Sequence, residues 1–171
     1  NSVQETGRPK RAKTVIFSGS CSTTTNVQVE RYKNVGACVS INLQRFINET
    51  GYEKELLEWM LSHIEDRYAP MVYTTTTPEK LKENTQKYQG PNIGEKIENL
   101  FGRLAGRLRS QGVSNFIVAG GETAGKIVQL LELDALYVGP QIDPGVPWMR
   151  AAGSEVFLAL KSGNFGAEDF F

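Results

Sequence analysis

Three short turns rich in glycine and hydroxyl residues each follow a stretch with strand character. They are Ser18-Gly19-Ser20-Cys21-Ser22, running into Thr23-Thr24-Thr25; Gly120-Gly121-Glu122-Thr123; and Ser162-Gly163-Asn164-Phe165-Gly166. The chemistry such turns suit is anion binding. Where a strand turns into a helix, the first helical N–H groups have no intrahelical acceptor, and the helix dipole adds positive potential there. Glycine lets the backbone approach a phosphate oxygen, and hydroxyl side chains add donors. Each turn alone also has a conformational explanation, because tight turns favour these residue types. Three of them at the carboxyl edge of one sheet would share one anionic ligand.

Other residues invite chemistry and carry less. Gly120 to Lys126 fits G-x-x-x-x-G-K, but the next residue is Ile127, where a P-loop needs the Ser or Thr hydroxyl that ligates magnesium. Lys126 then reads as a solvated helix residue. His63 is the one histidine, so it has no second imidazole for a metal site and reads as an exposed helix residue. Cys21 lies in a turn without a histidine base in motif, which argues against a nucleophile. Glu122 could cap the following helix, or hold magnesium or a ribose hydroxyl. Asp143, in Asp143-Pro144-Gly145-Val146-Pro147, is either a turn former or a site residue. Trp59 and Trp148 read as packing residues, with Trp148 a weaker candidate for an adenine pocket.

The elements that must position these turns alternate in period. Lys13–Phe17 is a β-branched and aromatic run, so a strand is predicted there. A helix follows over about Ser22–Tyr32, with Val27 and Tyr32 for its inner face. Ala37–Ile41 is a second strand. Glu53–Tyr68 is amphipathic through Leu56, Leu57, Met60, Leu61 and Ile64, and Pro70 is expected to end it. Met71–Thr74 is a third strand, and Thr74–Gln89 a polar surface loop with a short helix. Ile93–Ser110 carries the stripe Ile93, Ile97, Leu100, Phe101, Leu104 and Leu108, with Gly112 as its stop. Asn115–Ala119 is continuously apolar, as a strand covered on both faces should be. A helix over Thr123–Leu131, a strand over Ala135–Val138, a rigid loop over Asp143–Pro147 and a last strand over Val156–Leu160 complete the chain. Strands alternating with helices imply an α/β three-layer sandwich with a largely parallel sheet.

Composition bounds the partners. The chain has 171 residues, enough for one domain, here residues 13–171 after a flexible basic segment over 1–12. Lys+Arg and Asp+Glu are both 19. That balance gives no electrostatic reason to expect nucleic acid or an anionic membrane, and weak self-repulsion leaves a homodimer open. No apolar run reaches the roughly 18 residues of a membrane span, and the first residues lack the apolar core of a secretory signal. Cys21 and Cys38 form neither a metal pattern nor a disulfide framework, and read as buried free thiols in a reducing cytoplasm.

The motifs resemble a known family. Val15-Ile16-Phe17-Ser18-Gly19-Ser20-Cys21-Ser22 with Thr25 and Gln28 is similar to the opening of the C-terminal domain of four-carbon acid sugar kinases. Gly120-Gly121-Glu122-Thr123 resembles their second motif. Asp143-Pro144-Gly145-Val146-Pro147, then Leu158-Ala159-Leu160-Lys161-Ser162-Gly163-Asn164-Phe165-Gly166 and Asp169-Phe170, resembles their closing signature. The resemblance implies a two-domain kinase that phosphorylates threonate, erythronate or 3-oxo-tetronate with ATP and magnesium. It implies an N-terminal domain for the sugar acid, absent from this chain, and a C-terminal domain for the nucleotide.

Carried over by motif, the nucleotide contacts are Ser18, Gly19, Ser20, Gly120, Gly121, Glu122, Thr123, Lys161, Gly163, Asn164 and Gly166, with Lys161 neutralising phosphate charge. No metal ligand is assigned, and the catalytic base is expected from the other domain. The isolated fragment is then expected to be inactive. The rival reading is a non-catalytic module that binds a nucleotide or sugar phosphate. A dinucleotide oxidoreductase is disfavoured, since the first turn lacks the G-x-G-x-x-G spacing.

Overall fold

The computed structural model describes residues 13–74 and 93–171. The expected N-terminal segment over 1–12, and the polar loop beyond Thr74, lie outside the described residues. Seven strands form one sheet in the order β2-β3-β1-β4-β7-β6-β5. They are β1 (Thr14–Ser18), β2 (Cys38–Ser40), β3 (Met71–Tyr73), β4 (Asn115–Ala119), β5 (Leu136–Asp143), β6 (Val146–Ala151) and β7 (Phe157–Lys161). The first five in the order pair in parallel. β6 and β5 extend the sheet as an antiparallel hairpin, whose turn holds Gly145 at φ 76°. The expected rigid loop over Asp143–Pro147 is therefore the tip of this hairpin, and Val146–Ala151 is a strand that Pro147 and the lack of clean alternation concealed.

Among the described residues five helices accompany the sheet: α1 (Thr23–Tyr32), α2 (Leu43–Asn48), α3 (Tyr52–Ser62), α4 (Ile93–Ser110) and α5 (Gly121–Leu130). Alternation of side chains along the strands splits the core in two. On one face Val15, Phe17, Val72, Phe116, Val118 and Leu158 meet Leu56 and Met60 of α3, Leu100, Phe101, Leu104 and Leu108 of α4, and Ile127 of α5. Phe17 and Phe101 rings pack at 5.4 Å between centroids. On the other face Ile16 and Met71 meet Val29 and Tyr32 of α1, with Ile117 and Phe171 beside them. These are the three layers: among the described helices, α1 faces α3 to α5 across the sheet.

The helix ends follow local chemistry. Ser22 caps α1, its Oγ accepting from the Thr25 amide at 3.1 Å. α4 stops at Gly112, φ 88°, where the Gly112 amide donates to Arg109 O and the Val113 amide to Leu108 O, a Schellman arrangement. Two expectations are corrected. Val27 is exposed, and the inner face of α1 is Thr25, Gln28, Val29 and Tyr32; three polar or aromatic positions disguised the stripe. α3 ends at Ser62, well before Pro70, with His63 as its C-cap. There the His63 ring lies against Trp59 at 4.7 Å and is only partly exposed. α2, too short to show a period, was not anticipated. Its start is marked by the Asn42 cap, whose side chain accepts from the Arg45 amide.

Candidate functional site

The parallel register sets Ser18 opposite Ala119 and Ala119 opposite Lys161. The last residues of β1, β4 and β7 thus form one row, and the three glycine turns begin side by side. The ladder runs one step past the strands: the Gly19 amide donates to Ala119 O and the Gly120 amide to Lys161 O, both at 2.9 Å. β1 leads into α1 on one face, while β4 leads into α5 on the other. Neighbouring strands whose chains leave in opposite directions open a crevice between their carboxyl ends, the usual ligand position in open α/β sheets.

The turns touch. A Cβ on Gly19 would stand 2.1 Å from Thr123 Oγ1, and one on Gly163 would stand 2.7 Å from Ser20 Oγ. Gly120, at φ 114°, would bring a Cβ within 3.1 Å of the Ser20 amide nitrogen. Close approach disfavours a side chain at all three positions, and at Gly120 the backbone conformation does so as well. Gly121 differs, because among the described residues no atom outside its own helix and chain neighbours lies within 4 Å of where its Cβ would be. Gly121, Glu122 and Thr123 form the first turn of α5, and no side chain caps that terminus. Their amides are the orphan donors of a helix N-terminus, beside open space.

Lys161 is 1% exposed, on the α1 side of the sheet. Its Nζ donates to Thr25 Oγ1 at 2.9 Å, Gly163 O at 3.1 Å and Ser162 O at 3.2 Å. Thr25 Oγ1 itself donates to Gly163 O at 2.8 Å, and Ser22 Oγ makes a short contact with the same carbonyl. Burial pushes the Lys161 ammonium down to about 8. Lys161 was expected to neutralise phosphate charge; in this structure its three N–H groups meet protein oxygens. Thr25 and Ser22, known beforehand only as parts of a motif, hold the third turn in place.

The remaining candidates sort by position. Ser18 is buried, Glu122 and Asn164 are exposed, and Gly166, φ 85°, lies between Asp143 and Gln28. Asp143 Oδ2 accepts the Ala167 amide at 2.5 Å, and Gln28 Nε2 donates to Ala167 O at 2.7 Å and Phe165 O at 3.2 Å. Asp143 therefore anchors the closing loop. Trp148 sits partly buried on β6, with Ala159 as its register partner. Cys21 and Cys38 are free thiols, both partly exposed where burial was expected. Glu98, on α4, was missed. Its carboxyl is held above the usual range by burial and by the charge and hydrogen bond of Glu122, with Lys126 opposing. Among the described residues no group of three or more His, Cys, Asp or Glu is gathered, and no helix is long and apolar enough to cross a membrane.

The chain is 46% identical over 169 residues to a 3-oxo-tetronate kinase of Brucella melitensis, covering 99% of this chain and 39% of that protein. It is 44% identical to the 3-oxo-tetronate kinase of Haemophilus influenzae, covering 95% of this chain and 40% of the relative. The chain thus spans about two fifths of the length of these curated relatives. A crystal structure of a Haemophilus influenzae DUF1537 protein superposes with a TM-score of 0.92 at 44% identity, over 95% of this chain and 40% of that one. A Bordetella bronchiseptica DUF1537 structure with bound citrate, at 15% identity and a TM-score of 0.68 over 93% of this chain and 39% of that one, shares the fold. Residues 15–171 match the family described as nucleotide-binding C-terminal domain, and the chain belongs to it.

Proposed function

We propose that this domain binds ATP for a kinase that phosphorylates a four-carbon sugar acid of the 3-oxo-tetronate, threonate or erythronate type. The observation that carries this reading is the row Ser18, Ala119, Lys161, which sets three glycine turns around the uncapped N-terminus of α5. The relatives' activity supports the acceptor class. Binding of the sugar acid, and the base that deprotonates it, are assigned to the part of the protein outside this chain.

The donor set suits a polyphosphate. Open space beside Gly121 admits an oxygen close to the backbone, and the amides of Gly121, Glu122 and Thr123 point N–H groups at it. Ser20 and Gly163 bring the first and third turns against the same opening. ATP would supply the phosphoryl group, and magnesium would neutralise its developing charge. The residues fit a magnesium ion that keeps most of its waters, because Glu122 and Glu98 form a carboxyl pair at the first turn of α5 whose mutual repulsion a cation relieves. The protein's part is positioning: glycines that let the turns interlock, and fixed dipoles that meet charge without reorganising.

Calorimetric titration with ATP and magnesium, with NADH as control, tests this reading. Saturable ATP binding with none for NADH is expected. A protein that binds NADH and ignores ATP overturns it.

A further inference from the structure

Lys161 presents an unusual arrangement: a buried cation whose neighbours are all neutral. Its three N–H groups are used by Thr25 Oγ1, Ser162 O and Gly163 O. Ser22 and Ser20, which complete the cluster, are hydroxyls. The charged groups on the elements packed around it are engaged elsewhere. Arg31 of α1 pairs with Glu168 of the closing segment, and Asp143 accepts the Ala167 amide. Burial pushes its ionisation down, and among the described residues none of the hydrogen bonds of its Nζ goes to a carboxylate. A buried ammonium without a counter-ion is costly unless something on the other side of its contacts returns the energy.

The Gly163 carbonyl shows what that is. Lys161 and Thr25 both donate to it, so it points inward, towards α1. All described peptide bonds are trans. In a trans peptide the C=O and the following N–H point in opposite directions. The Asn164 amide therefore faces away from the cluster, and among the described residues it donates to no protein group.

We propose that Lys161 is a positioning residue for the phosphate site: it clamps the Gly163 carbonyl inward, turns the Asn164 amide outward as an anion donor, and leaves its own charge for the bound anion to balance. This rests on the nucleotide reading above. It departs from a phosphate-binding lysine, because Nζ need never touch the ligand. One consequence distinguishes it from a merely structural role. The free amine gives up its proton near pH 8. An anion arriving beyond Gly163 favours the charged form, so ATP binding above that pH must take up a proton.

The test is calorimetric titration of the whole protein with magnesium-ATP in buffers of different ionisation enthalpy. Bound magnesium lowers the pKa of the γ-phosphate, so magnesium-ATP is fully ionised in this range. Proton uptake should be near zero at about pH 7 and roughly half a proton or more per ATP at about pH 9. Lys161→Arg keeps the charge without titrating, and should abolish the uptake at about pH 9. Lys161→Met should weaken ATP binding about tenfold or more, since it loses both the clamp and the charge. ATP binding by the wild type with the same proton exchange at both pH values overturns the proposal and leaves the nucleotide reading standing. So does uptake that persists in Lys161→Arg. Failure to bind ATP at either pH overturns both. The wild-type comparison decides even if neither variant folds.

Discussion

Gly19 and Thr123 approach so closely that a Cβ on the glycine would stand 2.1 Å from the threonine Oγ1. The first two turns are therefore one packed unit. Gly19→Ala must push Thr123, a buried β-branched residue at the start of α5, out of place. Overpacking of this kind costs about 1–3 kcal/mol, which for a chain of this size lowers Tm by roughly 2–4 °C per kcal/mol. Removing the offending hydroxyl should recover much of it: Gly19→Ala with Thr123→Ala should be more stable than the two single effects added. Thermal melts of the four proteins check this, and strict additivity would mean that the two turns are not in contact.

Gly121 provides the complementary test. Among the described residues no atom outside its own helix and chain neighbours lies within 4 Å of its Cβ position, and it opens a helix, so Gly121→Ala should leave the melting temperature unchanged or slightly raised. If phosphate occupies the open space, the methyl should weaken ATP about tenfold, equivalent to about 1.4 kcal/mol. An unchanged Kd in this folded variant removes the second turn from the nucleotide site.

These contacts mark the limit of what was readable beforehand. The strands β1, β4 and β7 and the three turns after them were legible, because apolar runs ending in Gly-Ser or Gly-Gly report both a buried strand and its stop. The helix α4 was legible through its long stripe and Gly112. Val27 misled, because α1 buries Thr25 and Gln28, whose inward placement is decided by Lys161, Gly163 and Phe165 far along the chain. The contact between Lys161 and Thr25 was hidden for the same reason: only the fold brings Thr25 to the Lys161 Nζ. Glu98 was hidden because its neighbour Glu122 is 24 positions away and carries the same charge. β6 was hidden because its hairpin turn looked like a loop.

Glu98 yields a pH prediction. Its folded carboxyl titrates above the ordinary range through burial, then through Glu122. Above the usual carboxylate pKa the unfolded chain has lost this proton while the folded chain still holds it. Stability from this group is therefore present at low pH and lost as pH rises through the folded value. Glu98→Gln removes the titration, so its Tm should fall less than that of the wild type between about pH 4.5 and about pH 7.5. If the pair receives magnesium, the same variant should bind magnesium-ATP more weakly, with metal-free ATP little changed. Identical Tm profiles for the two proteins would show that the Glu98–Glu122 interaction does not exist in solution.

Tyr32 separates the support of the α1 face from the site itself. It lies at the far end of α1 from Ser22, about 15 Å along a ten-residue helix. Its hydroxyl donates to Ala69 O at 2.8 Å, and its ring meets Phe171 edge-on at 6.1 Å. Burial holds the hydroxyl well above the usual tyrosine range, so it stays protonated and this bond persists through alkaline pH. Tyr32→Phe keeps the ring contacts and strands the Ala69 carbonyl, at a cost of about 1 kcal/mol. Chemical denaturation should show that loss, and ATP affinity should be unchanged, because the clamp on Gly163 is made by Thr25 at the opposite end of the helix. A fall in ATP affinity that matched the fall in stability would mean that α1 transmits strain along its length to the third turn.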